Sequence, residues 1–354
     1  MTKTASTTEA AERLKALGYQ PGSLLEQYHE RGYVILDNVF AKDEQSQLSL
    51  TSLRLAAQQV VEATRQGRWT QRRTVGSAFP PYDQNNTDSW GVQHIMCPEL
   101  DTAASADRHS EKTSAISHVF RDFYSSSPLL DIASILIDAP VEKMQMELFN
   151  LLINPESHHF ALGWHRDDVR PETEAQEERQ RLDTPTYGVQ FNAALWDDDC
   201  LFIVPASHKR LRTAEEKRAN LARAPPAVSL KDSNLSSSDC AAFDGNWDVD
   251  PPETLRVHLK AGQTVFYSQR ILHRASYLPT RKRATLHGCY GDASDPEAGG
   301  AERARNVLQH GVEWMRDPAF GTSLPERLRP MWDNLIRMDK AFSNRKLGYS
   351  LDNA

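Results

Sequence analysis

At 354 residues the chain can bury a large core, as one big domain or as two. Its 39% hydrophobic and 25% charged content is ordinary for a globular protein, and a net charge of −7 speaks against sequence-independent nucleic-acid binding, which needs a basic face. No apolar run approaches the ~18 residues of a membrane span, and Cys97, Cys200, Cys240 and Cys289 form no Cys-x-x-Cys, which excludes a disulfide framework or zinc site built on that spacing.

The start of the chain is rich in Thr, Ser and Ala and lacks the apolar core of a signal peptide, so a cytoplasmic protein is expected. Residues 1–23 read as a flexible lead-in, with a short helix around Ala10–Leu17 stopped by Gly18 and Pro21-Gly22. Beyond it, Leu24 to Tyr28 is helical, Arg31-Gly32 breaks the helix, and Tyr33-Val34-Ile35-Leu36 is a short strand. Asp43–Ala63 has the pattern of a helix capped by Asp43. The polar runs Gln71–Asn86 and Pro98–Ser110 read as loops, with Trp90, His94 and Met96 between them as an aromatic wedge. Ile116–Tyr124 and Leu129–Asp138 are helical.

Strands follow. Val141–Ile153 alternates imperfectly, as a strand with buried faces does. Phe160–Trp164 leads into Gly163-Trp164-His165-Arg166-Asp167-Asp168, and the charged run Val169–Pro185 beyond it is expected to be a mobile flap. Tyr187–Trp196, Cys200–Val204, Thr264–Tyr267, Ile271–Ala275 and Arg283–Tyr290 are short apolar strands, and Leu255-x-Val257-x-Leu259 alternates strictly. Between them, 209–253 reads as an insertion with one helix at Ala214–Ala222. This is the pattern of a mostly β core with flanking helices, a jelly-roll sandwich or barrel. Residues 293–354 return to helix, and Leu328, Met331, Leu335, Met338 and Phe342 make an apolar stripe that packs on the core.

Two stretches have the His-x-acid pattern, His165-x-Asp167 and His109-x-Glu111. On an extended strand such residues emerge on one face, roughly 7 Å apart. His109 lies in a polar run with no strand beside it and reads as loop. His165 follows a strand and precedes several more. With a second histidine from a distant strand, His273, it completes the two-His-one-carboxylate face that holds non-haem Fe(II) and leaves positions open.

Four stretches then resemble the phytanoyl-CoA dioxygenase family of Fe(II)/2-oxoglutarate oxygenases: Glu30 to Leu36, Trp164-His165-Arg166-Asp167, Val204-Pro205-Ala206-Ser207-His208, and Ala261 to Tyr267 continuing through Ile271-Leu272-His273. The resemblance implies a double-stranded β-helix, cupin-like, over 24–292. It also implies a metal site of His165, Asp167 and His273, and the cofactors Fe(II), 2-oxoglutarate and O₂, with ascorbate as a candidate reductant. It further implies an Arg about ten residues after the distal His that holds the far carboxylate of 2-oxoglutarate. Arg283 fits and Arg281 competes, since both share strand parity; the deeper Arg283 is preferred. Asn150 is an accessory co-substrate candidate. Ala275 stands where many members have Ser. With Asp167 present, halogenation is disfavoured, and oxidation of a small organic metabolite with release of succinate and CO₂ is expected. Hydroxylation is the default outcome, beside desaturation, epoxidation or cyclisation. Alternatives are a catalytically idle binding protein and an oxygenase acting on a protein. The expected partner is a small molecule, with no nucleic acid and no membrane; a homo-oligomer is compatible.

Overall fold

A computed structural model describes residues 5–73, 87–105, 116–167, 169–184, 186–223, 228–231, 243–294, 301–308 and 312–343. The N-terminal helices are α1 (Ala5–Ala16), α2 (Pro21–Arg31), α3 (Leu50–Arg65), α4 (Glu99–Ala104), α5 (Ile116–Tyr124) and α6 (Ser127–Ile137). Two short strands interleave with them, β1 (Tyr33–Leu36) and β2 (Gly91–Val92). The strands that build the centre are β3 (Met144–Ile153), β4 (His158–Ala161), β5 (Gly188–Ala194) and β6 (Leu201–Val204), then β7 (Val228–Ser229), β8 (Leu255–Arg256), β9 (Thr264–Tyr267), β10 (Leu272–Tyr277) and β11 (Ala284–Asp292). Helices α7 (Ala175–Asp183) and α8 (Ala214–Leu221) lie between strands, and α9 (Ala301–Leu308), α10 (Pro318–Ser323) and α11 (Arg329–Phe342) follow them.

The strands form two antiparallel sheets, one of order β1-β9-β5-β11-β3-β2 and one of order β7-β4-β10-β6-β8. From β3 to β6, and again from β8 to β11, successive strands alternate between the sheets, which is jelly-roll construction. Period-two alternation gives the larger sheet two unlike faces. Phe149, Leu151, Phe191, Leu286 and Tyr290 turn to the helices and share one core with Phe120, Phe123, Leu129 and Ile132. On the other face His287 stands in register between Asn150 and Asn192, with Thr285 between Leu152 and Ala194. Gly288 is required on the helix side, because a Cβ there would stand 2.6 Å from the Phe191 ring. The C-terminal stripe packs as its spacing predicts: Leu328, Met331, Leu335 and Met338 are fully buried against the sheet-and-helix core.

Three expectations are corrected. From Ala5 the lead-in is a packed helix: Ala10, Ala11 and Leu14 are buried, and Arg13 makes a two-pronged contact with Asp131 at 2.9 Å. Helix α3 begins at Leu50 under Ser49, whose Oγ accepts from Ser52 N at 3.2 Å, while Asp43 accepts from Gln45 N in a local turn. Ser49 takes the cap because it satisfies a helix donor that Asp43, one turn and more upstream, cannot reach. The charged run after the His-x-Asp pair holds helix α7, and it is anchored. Glu178 on that helix is fully buried between Arg166 at 2.8 Å and Arg212 at 3.1 Å. Among the described residues no helix is long and apolar enough to cross a membrane.

Candidate active site

The backbone brings the two histidines together. His165 N donates to His273 O at 2.9 Å and His273 N donates to His165 O at 3.0 Å, an antiparallel bridge that prolongs the pairing with β10 beyond the end of β4. Two residues on, Asp167 N donates to Gln269 O at 3.2 Å. Alternation then turns the His165 and Asp167 side chains inward and the intervening Arg166 outward, into the buried contact with Glu178 on α7. The residue that separates the pair thus fastens their loop to the next helix.

The inward atoms converge. One ligand atom from each of His165, Asp167 and His273 lies within 4.8 Å of the other two. Asp167 Oδ1 is 3.7 Å from His165 Nε2 and 3.9 Å from His273 Nε2, and the imidazole centroids are 4.2 Å apart. Each Nδ1 faces a backbone carbonyl, Gly163 O at 2.8 Å for His165 and Ile271 O at 2.9 Å for His273. Nδ1–H donates there, which leaves each Nε2 lone pair directed at the centre. Burial pushes the His165 imidazole down to about 4, the neighbouring His273 adds to the effect and Asp167 opposes it. His165 is therefore neutral at physiological pH, as a ligand must be. Asp167 Oδ2 accepts a hydrogen bond from Gln190 Nε2, and Tyr267 Oη lies 3.5 Å from Gln190 Oε1. Two Nε2 atoms and one oriented carboxylate on a single side suit a divalent iron with open positions.

Further along the same interior lies Arg283, with 3% of its side chain exposed. Its Nε donates to Asp198 Oδ2 at 2.8 Å, its backbone N to Asn154 Oδ1 at 2.9 Å, and its guanidinium stands 4.7 Å from the Tyr277 ring. Thr285 Oγ also donates to Asp198. Burial alone would push the Asp198 carboxyl up, but Arg283, Thr285 and the Cys200 N–H hold it below its ordinary value. Arg283 Nη1 is buried without an acceptor. Such an orphan donor is what a bound carboxylate would satisfy. Arg281 is different. It precedes β11, its side chain is 53% exposed, and it pairs with Asp199 at the surface. Shared parity did not make the two arginines equivalent, because Arg283 adjoins the first residue of β11 and is tied to Asn154, whereas Arg281 lies in the exposed turn before it.

Asn150 sits at 3% exposure in the polar row with His287 and Asn192, and its Oδ1 accepts weakly from His94 N at 3.4 Å. His287 Nδ1 lies 2.8 Å from Asn192 Oδ1, and burial holds this imidazole well below its ordinary value. His109, Glu111 and Cys240 lie outside the described residues. Sequence reasoning missed Thr285 and His287, which the alternation Arg283-x-Thr285-x-His287 could have supplied. It also missed Asp198, one of three consecutive aspartates with no signal to single it out. A C-terminal contribution went unseen too. Arg303 on α9 reaches across to buried Glu147 on β3, and its Nη1 donates to Gln269 Oε1 at 2.7 Å, beside the backbone that holds Asp167.

A convergent two-His-one-carboxylate face and a sealed arginine inside a jelly roll are the features of Fe(II)/2-oxoglutarate-dependent oxygenases. The phytanoyl-CoA dioxygenase family model matches residues 28–283, and the chain belongs to that family. It is an Fe(II)/2-oxoglutarate-dependent oxygenase, and its cofactors are iron and 2-oxoglutarate. No curated protein sequence matches. Among solved structures, AviO1 from Streptomyces viridochromogenes Tue57 is similar at 17% identity, covering 79% of this chain and 98% of that one, with a TM-score of 0.48. EctD from S. alaskensis, determined with 2-oxoglutarate and 5-hydroxyectoine, is 14% identical over 76% of this chain and 75% of that one, at a TM-score of 0.44. The carbocyclase SnoK from nogalamycin biosynthesis is 19% identical over 77% and 83%, at 0.43.

Proposed function

We propose that the chain oxidises a small organic metabolite, with hydroxylation as the default outcome, and that His165, Asp167 and His273 hold the iron. Bound there, iron and 2-oxoglutarate supply O₂ activation coupled to decarboxylation of the co-substrate to succinate and CO₂. Arg283 holds the far carboxylate of 2-oxoglutarate through its terminal nitrogens, its Nε being already engaged by Asp198. Gln190 fixes the rotation of the Asp167 carboxylate so that Oδ1 stays directed at the centre. Asn150 lines the polar row beside the co-substrate and assists its orientation. Tyr277, Phe160, Leu162 and Ala275 form an apolar wall that keeps water from the reacting end.

The observation that carries this reading is the convergence of two Nε2 lone pairs and one carboxylate within 4.8 Å, in the same interior as the orphaned Arg283 Nη1. We read the two sheets as a double-stranded β-helix spanning the oxygenase domain at 24–292, with 209–253 inserted and the helices of 293–354 packed on it. A screen of small molecules for stimulated, iron-dependent conversion of 2-oxoglutarate to succinate tests the function. Hits among small metabolites are the expected result. Iron-independent turnover, or stimulation by a peptide library alone, would overturn it.

A further inference from the structure

Arg73 lies beside β2. Its backbone N donates to Gly91 O at 2.9 Å, and the approach is so close that a Cβ on Gly91 would stand 3.0 Å from Arg73 Cβ. This seats the guanidinium over Trp90, 5.0 Å from the ring centroid. Trp90 is 1% exposed and packs on Phe160 at 5.1 Å and on Tyr277 at 5.4 Å, and its Nε1 has no acceptor among the described residues. Tyr277 in turn carries Arg283 at 4.7 Å. One buried aromatic cluster thus has a guanidinium near each end.

The two cations are not equivalent. Arg283 is sealed and paired with Asp198. Arg73 is half-buried and, among the described residues, its side chain has no carboxylate and no hydrogen-bond acceptor. The cluster beneath it includes Ala275, two residues along β10 from His273 and on the same face of that strand. An arginine near a low-dielectric interior without a counter-charge is a ready site for a ligand anion, because its planar fork gives a charge-assisted, two-pronged contact. The co-substrate does not need it: one carboxylate has Arg283 and the other belongs with the metal.

We propose that Arg73, stacked on Trp90, anchors a carboxylate or phosphate of the substrate being oxidised. The inference rests on the reading of the site given above. Leu152, Leu162 and Ala275 pack in the same cluster as Trp90, so the fitting substrate joins its anion to an apolar segment.

The test titrates 4-phenylbutyrate and its neutral amide into the full chain loaded with redox-silent Mn(II) and 2-oxoglutarate. A hydrogen bond to a charged group contributes roughly 1.5–3 kcal/mol, so the acid should bind wild type about tenfold to a hundredfold better than the amide. Arg73→Gln should erase that preference and Arg73→Lys should keep part of it. Equal binding of acid and amide to wild type, or a preference that survives in Arg73→Gln, overturns the proposal. In a second arm, 2-oxoglutarate is titrated into the Mn(II)-loaded proteins. Affinities of wild type and Arg73→Gln within about threefold, under ~0.7 kcal/mol, support the proposal. A tenfold or larger loss would assign Arg73 to the co-substrate and overturn it. If wild type takes up neither Mn(II) nor 2-oxoglutarate, the site reading itself fails and the anchor fails with it.

Discussion

The two ends of the interior are built on opposite plans. Around Arg283 every polar group is sealed: the Arg283 and Asp198 side chains are 3% and 4% exposed, and Thr285 and the Cys200 N–H converge on the same carboxylate. Around the His165–Asp167–His273 centre the side chains of His165 and Asp167 keep 29% and 36% of their surface exposed, and Arg73 stands over the Trp90 cluster with no counter-charge among the described residues. On the proposed reading the sealed end has one fixed task, to hold the tail of a co-substrate that is the same in every turnover. The open end must admit metal, O₂ and substrate, so its valences are left for ligands. Strength of internal pairing here tracks invariance of the guest rather than importance to the chemistry.

The comparison is broken most completely at the open end. His165→Ala or His273→Ala should abolish iron-dependent succinate formation, while His109→Ala should leave it at the wild-type level; full activity in either of the first two under limiting iron would end the triad reading. At the sealed end, Arg283→Ala removes a buried partner, a cost on the order of 3–5 kcal/mol. That should raise the apparent KM for 2-oxoglutarate by roughly 10²- to 10⁴-fold at ~1.4 kcal/mol per decade. Arg283→Lys should fall between, and Arg281→Ala, an exposed pair, should change KM by only a few-fold. Were the two alanine variants to exchange behaviour, the co-substrate end would have to be redrawn around Asp199.

Between the ends runs the tether from Arg166 to α7. Glu178→Ala leaves two buried arginines facing each other, and a loss of stability on the order of 3–5 kcal/mol in denaturant melts is expected. Amide exchange across residues 169–184 should quicken in the same variant; a melt indistinguishable from wild type would return this segment to the status of a loose flap. The smallest effect concerns the scaffold alone. Ser49→Ala should cost ~1 kcal/mol by loss of the α3 cap, whereas Asp43→Ala should be nearly silent.

Much of this was legible in the sequence because it is written in short-range patterns. The alternation through β11, the apolar stripe of α11, and His165-x-Asp167 after a strand all follow from periodicity within ten residues or so. What could not be read is long-range polar pairing. Arg283 and Asp198 are 85 residues apart, Arg212 and Glu178 are 34 apart, and Arg303 and Glu147 are 156 apart. Nothing in local composition says that a charged residue will be buried, so Glu178 read as one acid among many in a solvated run. The α3 start failed for another reason: Asp43 and Ser49 are both good caps, and only the position of the first free N–H chooses between them.

The central claim, that metal and co-substrate are held at separable ends of one interior, is tested most directly by anaerobic calorimetric titration. Fe(II) and then 2-oxoglutarate are added to wild type, His273→Ala and Arg283→Ala. The account predicts one iron per chain in wild type and Arg283→Ala, none bound tightly in His273→Ala, and weakened 2-oxoglutarate binding in Arg283→Ala despite bound iron. Wild-type iron affinity in His273→Ala, or loss of iron in Arg283→Ala, would contradict it.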